Sequence, residues 1–294
     1  MNNSQKEKIL KAGKITKEIK EWIKPQIKKG IPLLQIAEKI ENKIIELGGK
    51  PAFPTNLSIN EIAAHYTPSY NDETKADGLL KIDFGVQIDG WIADAAFSLD
   101  LEHNEENKKI IEASKEALKN AIKKIEEKDS LGEIGKTIQE TIESYGFSAI
   151  INLTGHEMNE YELHSGLTIL NIKNSKTEKL FKGLYAVEPF ATNGSGKVHD
   201  GKPSGIYILV NERNIRNPEA RKILNFIIKE YKTLPFCSRW LVKKFGIKSL
   251  FALKQLEDNG NFHQYHQLVE TPNSKISQAE NTILIDNEVI VTTK

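Results

Sequence analysis

The most informative segment of the chain is KIDFGVQIDGWIADAAF, residues 81–97. Asp89-Gly90 lies between two runs in which apolar residues alternate, and this dipeptide suits a type I′ turn, which needs positive φ at both central positions. The sequence therefore predicts a β-hairpin with a two-residue turn. In that register Asp83 and Asp94 become diagonal neighbours on one face of the strand pair.

The opposite face of this hairpin is wholly apolar. It carries Ile82, Phe84, Val86, Ile88, Trp91, Ala93, Ala95 and Phe97. One face is therefore predicted to be core, while the other presents two carboxylates side by side. Such a pair repels itself unless one member is protonated or a cation lies between them. The pattern favours a metal site.

The composition is that of an ordinary globular protein. The chain has 294 residues, 39% of them hydrophobic and 28% charged, and its formal net charge of +1 gives no global basic field for nucleic acid. Cys237 is the only cysteine, which excludes an internal disulfide and predicts a reducing compartment. The chain contains no apolar run of the roughly 18 residues that a membrane span needs. We expect a cytoplasmic protein with no membrane partner and no specific nucleic-acid partner.

Helical and strand patterns alternate along the chain. Amphipathic helices are predicted at residues 4–24, 33–47, 104–128 and 131–145, and short β-branched runs predict strands at residues 149–153, 184–189, 206–210, 282–285 and 289–292. Helices that flank hairpins in two successive blocks argue for an α/β or α+β sheet with helices on its outer face. Residues 215–261 break this rhythm with three helical patterns, which indicates a helical insertion.

Further acids and histidines lie near predicted turns or strand ends. They are His65, His156, His164, Glu188 and Glu280. Taken singly, each has an ordinary structural explanation, such as a hydrogen-bonded histidine or an ion-paired carboxylate at a strand edge. A centre of two metal ions needs hard oxygen ligands, with an imidazole as a suitable addition. Together with the aspartate pair, these residues favour such a centre.

Eight segments, read in order, closely resemble the type II methionine aminopeptidases. They are Ala52-Phe53-Pro54-Thr55-Asn56, Ala63-Ala64-His65-Tyr66-Thr67-Pro68, Lys81-Ile82-Asp83-Phe84-Gly85, Asp94, Asn152-Leu153-Thr154-Gly155-His156, Leu163-His164-Ser165-Gly166, Glu188-Pro189-Phe190 and Glu280. The resemblance runs through essentially the whole chain. The chain has no long polybasic N-terminal extension, so it looks like the archaeal form of the family.

The resemblance implies the pita-bread fold, an α/β architecture of two pseudo-symmetric halves around a dimetal centre. In this interpretation residues 1–204 and 268–294 form the catalytic domain, and residues 205–267 form the helical insertion typical of type II enzymes.

The resemblance also implies roles for individual residues. The metal ligands would be Asp83, Asp94, His156, Glu188 and Glu280, with Asp94 and Glu280 bridging the two ions. Glu188 would also move protons in catalysis. His65 and His164 correspond to active-site histidines that contact the substrate and stabilise the reacting carbonyl or amide. Phe53 and Leu163 correspond to residues that line the methionine pocket.

The expected activity is metal-dependent removal of the N-terminal methionine from nascent proteins and peptides. The resemblance implies hydroxide attack at the dimetal centre and a preference for a small second residue. Two divalent ions per chain are expected, with Co, Mn, Fe, Zn or Ni as candidates. A monomer that works in transient proximity to the ribosome is the expected state.

Three alternatives stay open on the sequence. One is a prolidase or proline-specific aminopeptidase with the same metals, although those enzymes lack a helical insertion of this kind. Another is a non-catalytic relative that binds ribosome or RNA, but here all five ligand positions are filled. The third is an impaired enzyme, because Ala279 and Asn281 flank Glu280 where the family usually has an aromatic residue and a histidine. These neighbours put the orientation of Glu280 in doubt.

Overall fold

Seven α-helices and sixteen β-strands lie along residues 1–294, all of which are described by this computed structural model. The helices are α1 (Asn3–Ile23), α2 (Leu33–Glu46), α3 (Glu105–Glu126), α4 (Leu131–Ser144), α5 (Pro218–Glu230), α6 (Ser238–Phe245) and α7 (Ser249–Asp258). None of them is both long and apolar enough to cross a membrane. The strands are β1 (Lys50–Pro51), β2 (Asn56–Ile59), β3 (Ile62–Ala64), β4 (Leu79–Ile88), β5 (Trp91–Asp100), β6 (Ser148–Ala149), β7 (Thr154–Met158), β8 (Thr168–Leu170), β9 (Gly183–Val187), β10 (Phe190–Thr192), β11 (His199–Leu209), β12 (Phe236–Cys237), β13 (Phe262–Val269), β14 (Ile276–Gln278), β15 (Asn281–Ile285) and β16 (Val289–Val291).

The central hairpin consists of β4 and β5, joined by a two-residue turn. Asp89 and Gly90 both have positive φ, of 48° and 88°, as a type I′ turn requires. In the register Gly85 faces Asp94, and Asp83 faces the residue two positions further along β5. The predicted hairpin and its register are confirmed, and they place Asp83 and Asp94 on one face.

Helices α1 and α2 cover the apolar face of this hairpin. Ile19 from α1 and Ile40 from α2 share one buried cluster with Ile82, Phe84 and Val86 of β4. Each fully buried side chain of this size contributes about 1.5 to 3 kcal/mol relative to an exposed one. The register is therefore strongly specified, since a slip by one residue would turn the apolar set outward. The aspartate face is left to point toward the middle of the molecule.

A second half is built in the same way. Its sheet has the strand order β16-β15-β9-β7-β8. Helices α3 and α4 cover it, and Ile110 and Ile138 from these helices share a cluster with Tyr185, Val187 and Ile283 of the sheet. Two smaller sheets complete the fold, with the orders β14-β10-β6 and β12-β11-β13-β3. Each half thus has a helix pair outside and antiparallel strands inside.

The two halves are joined by a buried apolar cluster of their own. It contains Ile9 from α1 and Ile92 from β5 on one side, and Met158 and Leu184 from β7 and β9 on the other. Because this cluster is fully buried, the strand ends of the two halves are held at a fixed separation. The cavity described below lies between them.

The three predicted helices of residues 215–261 are present as α5, α6 and α7. They pack on a separate core that includes Ile223, Leu224, Phe236 and Leu253. Strands β11 and β13 pair with each other on either side of this segment. Residues 205 and 267 lie within those two strands, and the division of the chain at these positions stays a prediction.

One predicted strand is wrong. The sequence favours a strand at residues 149–153, but β6 ends at Ala149 and β7 begins only at Thr154. Between them the amide of Asn152 is tied to the backbone of Val198, because Nδ2 donates to the Val198 carbonyl at 2.7 Å and Oδ1 accepts from its N–H at 3.0 Å. These long-range hydrogen bonds hold the segment in a turn and override its β propensity.

Candidate metal centre

The five predicted ligands come from both halves of the molecule. Asp83 and Asp94 lie in β4 and β5, and His156 lies in β7. Glu188 directly follows β9, and Glu280 directly precedes β15. All five line one cavity of about 230 Å³. The same cavity is lined by the other four predicted site residues, Phe53, His65, Leu163 and His164. The fold therefore brings together all nine predicted site residues.

The ligand atoms lie within reach of shared ions. His156 Nε2 is 3.5 Å from Glu188 Oε1 and 3.9 Å from Asp94 Oδ2. The potential ligand atoms of Asp94, His156 and Glu280 all lie within 4.8 Å of one another, and these three side chains are buried. A buried group of two carboxylates and one imidazole is a donor set that divalent transition metals accept.

Several carboxylate oxygens in this cluster have no hydrogen-bond partner in the protein. They include Asp83 Oδ1, Asp94 Oδ1 and Glu280 Oε2. A buried acceptor without a partner costs about 1 to 3 kcal/mol, and more when it is charged. Divalent cations would satisfy these oxygens, so the residues fit a metal centre.

Burial and mutual repulsion strongly disfavour the charged state of these carboxyls. Burial raises the pKa of Asp83 to about 7. Burial and the neighbouring carboxylates together raise the pKa of Asp94, Glu188 and Glu280 well above the usual range. Bound divalent ions would reverse this preference, because their charge stabilises the ionised form. The raised pKa values and the unpaired oxygens therefore both indicate that these residues fit a metal centre.

The two histidines nearest the acids are neutral at physiological pH. Burial, with a smaller effect from His164, lowers the pKa of His156 to about 3. The imidazole of His156 is thus free to act as a ligand. His164 is accessible from the cavity but enclosed by protein, and desolvation followed by the charge of His65 lowers its pKa to about 4. The two rings stand edge to face, with centroids 4.3 Å apart.

His65 is held in an unusual backbone conformation. Its φ is 63°, in the left-handed region that non-glycine residues rarely adopt. Its Nδ1 lies 3.1 Å from the carbonyl oxygen of His266 in β13. A carbonyl oxygen can only accept, so Nδ1 carries the proton, and Nε2 of the neutral ring is an acceptor. The ring is thereby fixed in one tautomer at the cavity wall.

Phe53 and Leu163 form an apolar part of the cavity wall. Both are buried, and both belong to the cluster that joins the two halves. Gly85 in β4 makes room for Phe53, because a Cβ at that position would collide with the phenyl ring. The cavity wall next to the acids is therefore partly apolar.

Sequence reasoning missed Gln278, which is buried beside the acids. Its Nε2 donates to Asp83 Oδ2 and to Glu188 Oε2, each at 3.3 Å. The one local signal is the position of this polar side chain two residues before Glu280. Tyr265 of β13 also lines the cavity. Only the strand pairing brings it there, so no local pattern could have identified it.

The chain also matches known proteins. The profile of metallopeptidase family M24 matches residues 7–220. The chain belongs to metallopeptidase family M24. This M24 chain is 47% identical to a curated methionine aminopeptidase of Methanocaldococcus jannaschii over 292 residues, which cover 98% of each chain. The resemblance to archaeal methionine aminopeptidases is confirmed by this relative.

Solved structures show the same fold. A thermophilic Arx1 has a TM-score of 0.85 at 18% identity, over 99% of this M24 chain and 91% of its own. A methionine aminopeptidase from Thermotoga maritima has a TM-score of 0.73 at 24% identity, over 100% and 98% of the two chains. Likeness at this level of identity concerns the fold alone. With the family match, it confirms the predicted pita-bread architecture.

Proposed function

We propose that this protein removes the N-terminal methionine from nascent proteins and peptides, by metal-dependent hydrolysis with a preference for a small second residue. The observation that carries this proposal is the single cavity, which collects the acids, the imidazoles and the apolar wall in one place. The family match and the curated methionine aminopeptidase relative give the reaction class. The enzyme is a metalloexopeptidase.

We propose that two divalent ions are held by Asp83, Asp94, His156, Glu188 and Glu280, with Asp94 and Glu280 shared between them. When bound, such ions supply Lewis acidity and lower the pKa of water, so that hydroxide is available near neutral pH. The hydrogen-bonded amide of Gln278 orients Asp83 and Glu188 toward this centre. Co, Mn, Fe, Zn and Ni remain candidates, because a mixed oxygen and nitrogen donor set accepts each of them.

Glu188 is the residue that we assign to proton transfer. A carboxylate within hydrogen-bond reach of the reacting group can take a proton from water and return it to the leaving amine. The Glu188 side chain lies at the cavity surface and within 3.5 Å of His156. Glu188 can therefore reach a reacting group without leaving the cluster.

His65 and His164 are assigned to the reacting peptide bond. The neutral His164 has one N–H that can donate to the scissile carbonyl oxygen and stabilise the negative charge that develops there. His65 presents an acceptor nitrogen, because its Nδ1 proton is engaged by His266. That nitrogen would accept from the amide N–H of the same bond. The two rings would thus hold opposite ends of the substrate amide.

Phe53 and Leu163 are assigned to the methionine side chain. A flexible thioether fits an apolar wall of aromatic and branched residues, and sulfur makes favourable contacts with ring edges. The relatives with the methionine aminopeptidase name support, by analogy, a preference for glycine, alanine and other small second residues.

A release assay tests the activity. Purified protein, stripped with chelator and then supplied with Mn²⁺, Co²⁺ or Fe²⁺, is incubated with Met-Gly-Met and with an X-Pro peptide of similar length. We expect methionine release from the first peptide only, and only with metal. Metal analysis of the same preparation should give about two ions per chain, as the shared ligands imply.

The matched controls are Asp94→Ala and Glu112→Ala. Asp94 is a predicted shared ligand, and its removal should lower release to background, whereas Glu112 is an exposed residue of α3 and its removal should leave release unchanged. Release without metal, or equal release by Asp94→Ala, would refute the proposal. Cleavage of the X-Pro peptide alone would assign a prolidase activity instead.

Monomeric state, a cytoplasmic location and transient proximity to the ribosome remain predictions from the sequence. Cys237 is buried and unpaired, which accords with a reducing compartment. Nascent chains that carry an N-terminal methionine are the partner expected for the proposed reaction.

A further inference from the structure

The last residues of the chain lie directly behind two of the predicted metal ligands. After β16, Thr292 and Thr293 are buried next to α1 and the beginning of β15. Gly13 of α1 permits this approach, because a Cβ there would collide with Thr292. A segment that the reaction scheme does not use is therefore packed against the backbone that carries Glu280.

The Thr293 hydroxyl is the centre of a buried hydrogen-bond chain. Its Oγ1 accepts from the N–H of Thr282 at 3.0 Å and donates to Asn281 Oδ1 at 3.0 Å. Thr282 in turn contacts the hairpin, since its Oγ1 accepts from Asp94 N–H at 2.6 Å and donates to the Asp94 carbonyl at 2.8 Å. Only one side chain separates Thr293 from the backbone of Asp94.

The same hydrogen-bond network also holds the backbone next to Glu280. Its N–H donates to the Ala96 carbonyl at 3.0 Å, and Asn281 follows it as the first residue of β15. The amide oxygen of Asn281 accepts from Lys20 Nζ at 3.2 Å as well as from Thr293. Lys20 Nζ also donates to the Thr293 carbonyl at 2.8 Å. Asn281 is therefore held by two donors from separate parts of the chain.

We propose that Thr293 is a positioning residue for the metal centre, and that with Lys20 and Asn281 it fixes Asp94 and Glu280 in the geometry that shares ions. The inference rests on the proposed function. Buried carboxylates that repel one another move apart unless their backbone is held, so an anchor behind them pre-organises the site before metal arrives. Partners beyond the direct ligands commonly change metal affinity or activity ten- to a hundredfold.

This arrangement also explains how Asn281 serves where the family usually has histidine. The Oδ1 atom of Asn281 is a hydrogen-bond acceptor, and both Lys20 Nζ and Thr293 Oγ1 donate to it. The orientation of Glu280 is thus supported by a different set of groups rather than left free. Lys20 and Thr293 therefore supply the support that the sequence neighbours of Glu280 do not.

The test is the affinity of the metal-free full chain for Mn²⁺, measured by calorimetry at 25 °C. Thr293→Val keeps the shape of the side chain but removes the hydroxyl, whereas Thr293→Ser keeps the hydroxyl. We expect the Mn²⁺ dissociation constant to rise about tenfold or more in the valine variant and to stay within about threefold in the serine variant. Lys20→Met should raise it by a smaller factor, because Thr293 still supports Asn281.

Thermal unfolding of the metal-free variants separates positioning from stability. A lower midpoint with an unchanged dissociation constant would show a purely structural role and overturn the proposal. Equal affinities of the valine and serine variants would do the same. If Thr293→Val does not fold, the Mn²⁺ dissociation constants of Lys20→Met and wild type are compared instead. An unchanged constant in Lys20→Met would also overturn the proposal. Wild-type protein that binds Mn²⁺ yet releases no methionine would defeat the proposed function while leaving this comparison intact.

Discussion

Gly85 shapes the wall of the acid-lined cavity because it has no side chain. It lies in β4 opposite Asp94, on the face that carries the acids, and the ring of Phe53 occupies the space that a Cβ would need. A methyl group here must therefore displace Phe53 or bend the strand. The glycine links the register of the hairpin to the position of Phe53, which we propose lines the methionine pocket.

We expect Gly85→Ala to raise KM for Met-Gly-Met about tenfold, because the added methyl group pushes Phe53 into the space proposed for the methionine side chain. Metal affinity should change far less, because the ligand side chains themselves are retained. Steady-state kinetics at saturating Mn²⁺, with calorimetric Mn²⁺ binding on the same preparation, checks both parts. Unchanged KM would show that Phe53 has room to move and does not define the pocket.

At the same scale, the sequence predicted the acids and histidines of the cavity better than their surroundings. Asp83 and Asp94 follow from a two-residue turn whose chemistry is local, so their pairing could be predicted. Gln278 and Thr293 act through contacts with residues far away in the chain, for example from Gln278 to Asp83. Such contacts leave no periodic signal, because the pattern of a strand does not specify which sheet it meets.

Among the elements, α2 and α6 are joined by a buried ion pair. Glu41 accepts from Arg239 Nη1 at 2.7 Å and Nη2 at 2.8 Å, and from Trp240 Nε1 at 2.9 Å. Arg239 Nε also donates to the carbonyl of Pro68, three residues after His65. Helix α6 is thus attached to the first half through the segment that carries His65.

Arg239→Met should destabilise the protein by about 3 to 5 kcal/mol, because it leaves the Glu41 carboxylate buried without its counter-ion. The double variant Glu41→Met with Arg239→Met should recover part of this loss, since no uncompensated charge remains. Urea unfolding of the two variants and the wild type measures the difference. Equal midpoints for Arg239→Met and wild type would mean that water or another group replaces the arginine.

The elements themselves were predicted unevenly. Helix α2 was expected at residues 33–47 and spans Leu33–Glu46, because its apolar face has a clear helical period. Strand β11 is predicted at residues 206–210 but begins at His199. The sequence misses its first residues because they are polar and exposed and carry no apolar alternation. The segment at residues 149–153 has β-branched residues yet forms a turn. Propensity fails where exposure or a long-range hydrogen bond decides the conformation.

At the scale of the whole molecule, folding brings four acids from two halves into one buried cluster. In the metal-free protein the fold must therefore hold together groups that repel one another. The apolar cluster between the halves, which includes Ile92 and Met158, opposes that repulsion. Metal binding and the joining of the two halves are consequently coupled, because ions that bind the folded cluster stabilise the fold.

This coupling predicts opposite effects of pH with and without metal. The pKa of Asp83 is about 7 in the folded metal-free protein against an ordinary value of 3.8. A carboxyl whose pKa is raised by folding contributes stability at low pH and loses it as the pH rises through this interval. The buried acids should therefore make the metal-free protein less stable from about pH 4 to about pH 7, where the ionised groups repel each other. His156 and His164 oppose part of this loss, because burial lowers the pKa of His156 to about 3 and that of His164 to about 4, and their neutral forms favour the folded state as the pH rises.

Added Mn²⁺ should restore that loss, and the gain in melting temperature should be larger at about pH 7.5 than at about pH 5.5, because ions compete with protons for the same oxygens. At a concentration of about 100 times the dissociation constant, a ligand adds roughly 2.7 kcal/mol of stability. Melting curves with chelator and with Mn²⁺ at the two pH values measure the effect, and Asp94→Ala serves as the control that should lose most of the gain. An equal gain at both pH values would show that the acids are already ionised before metal binds.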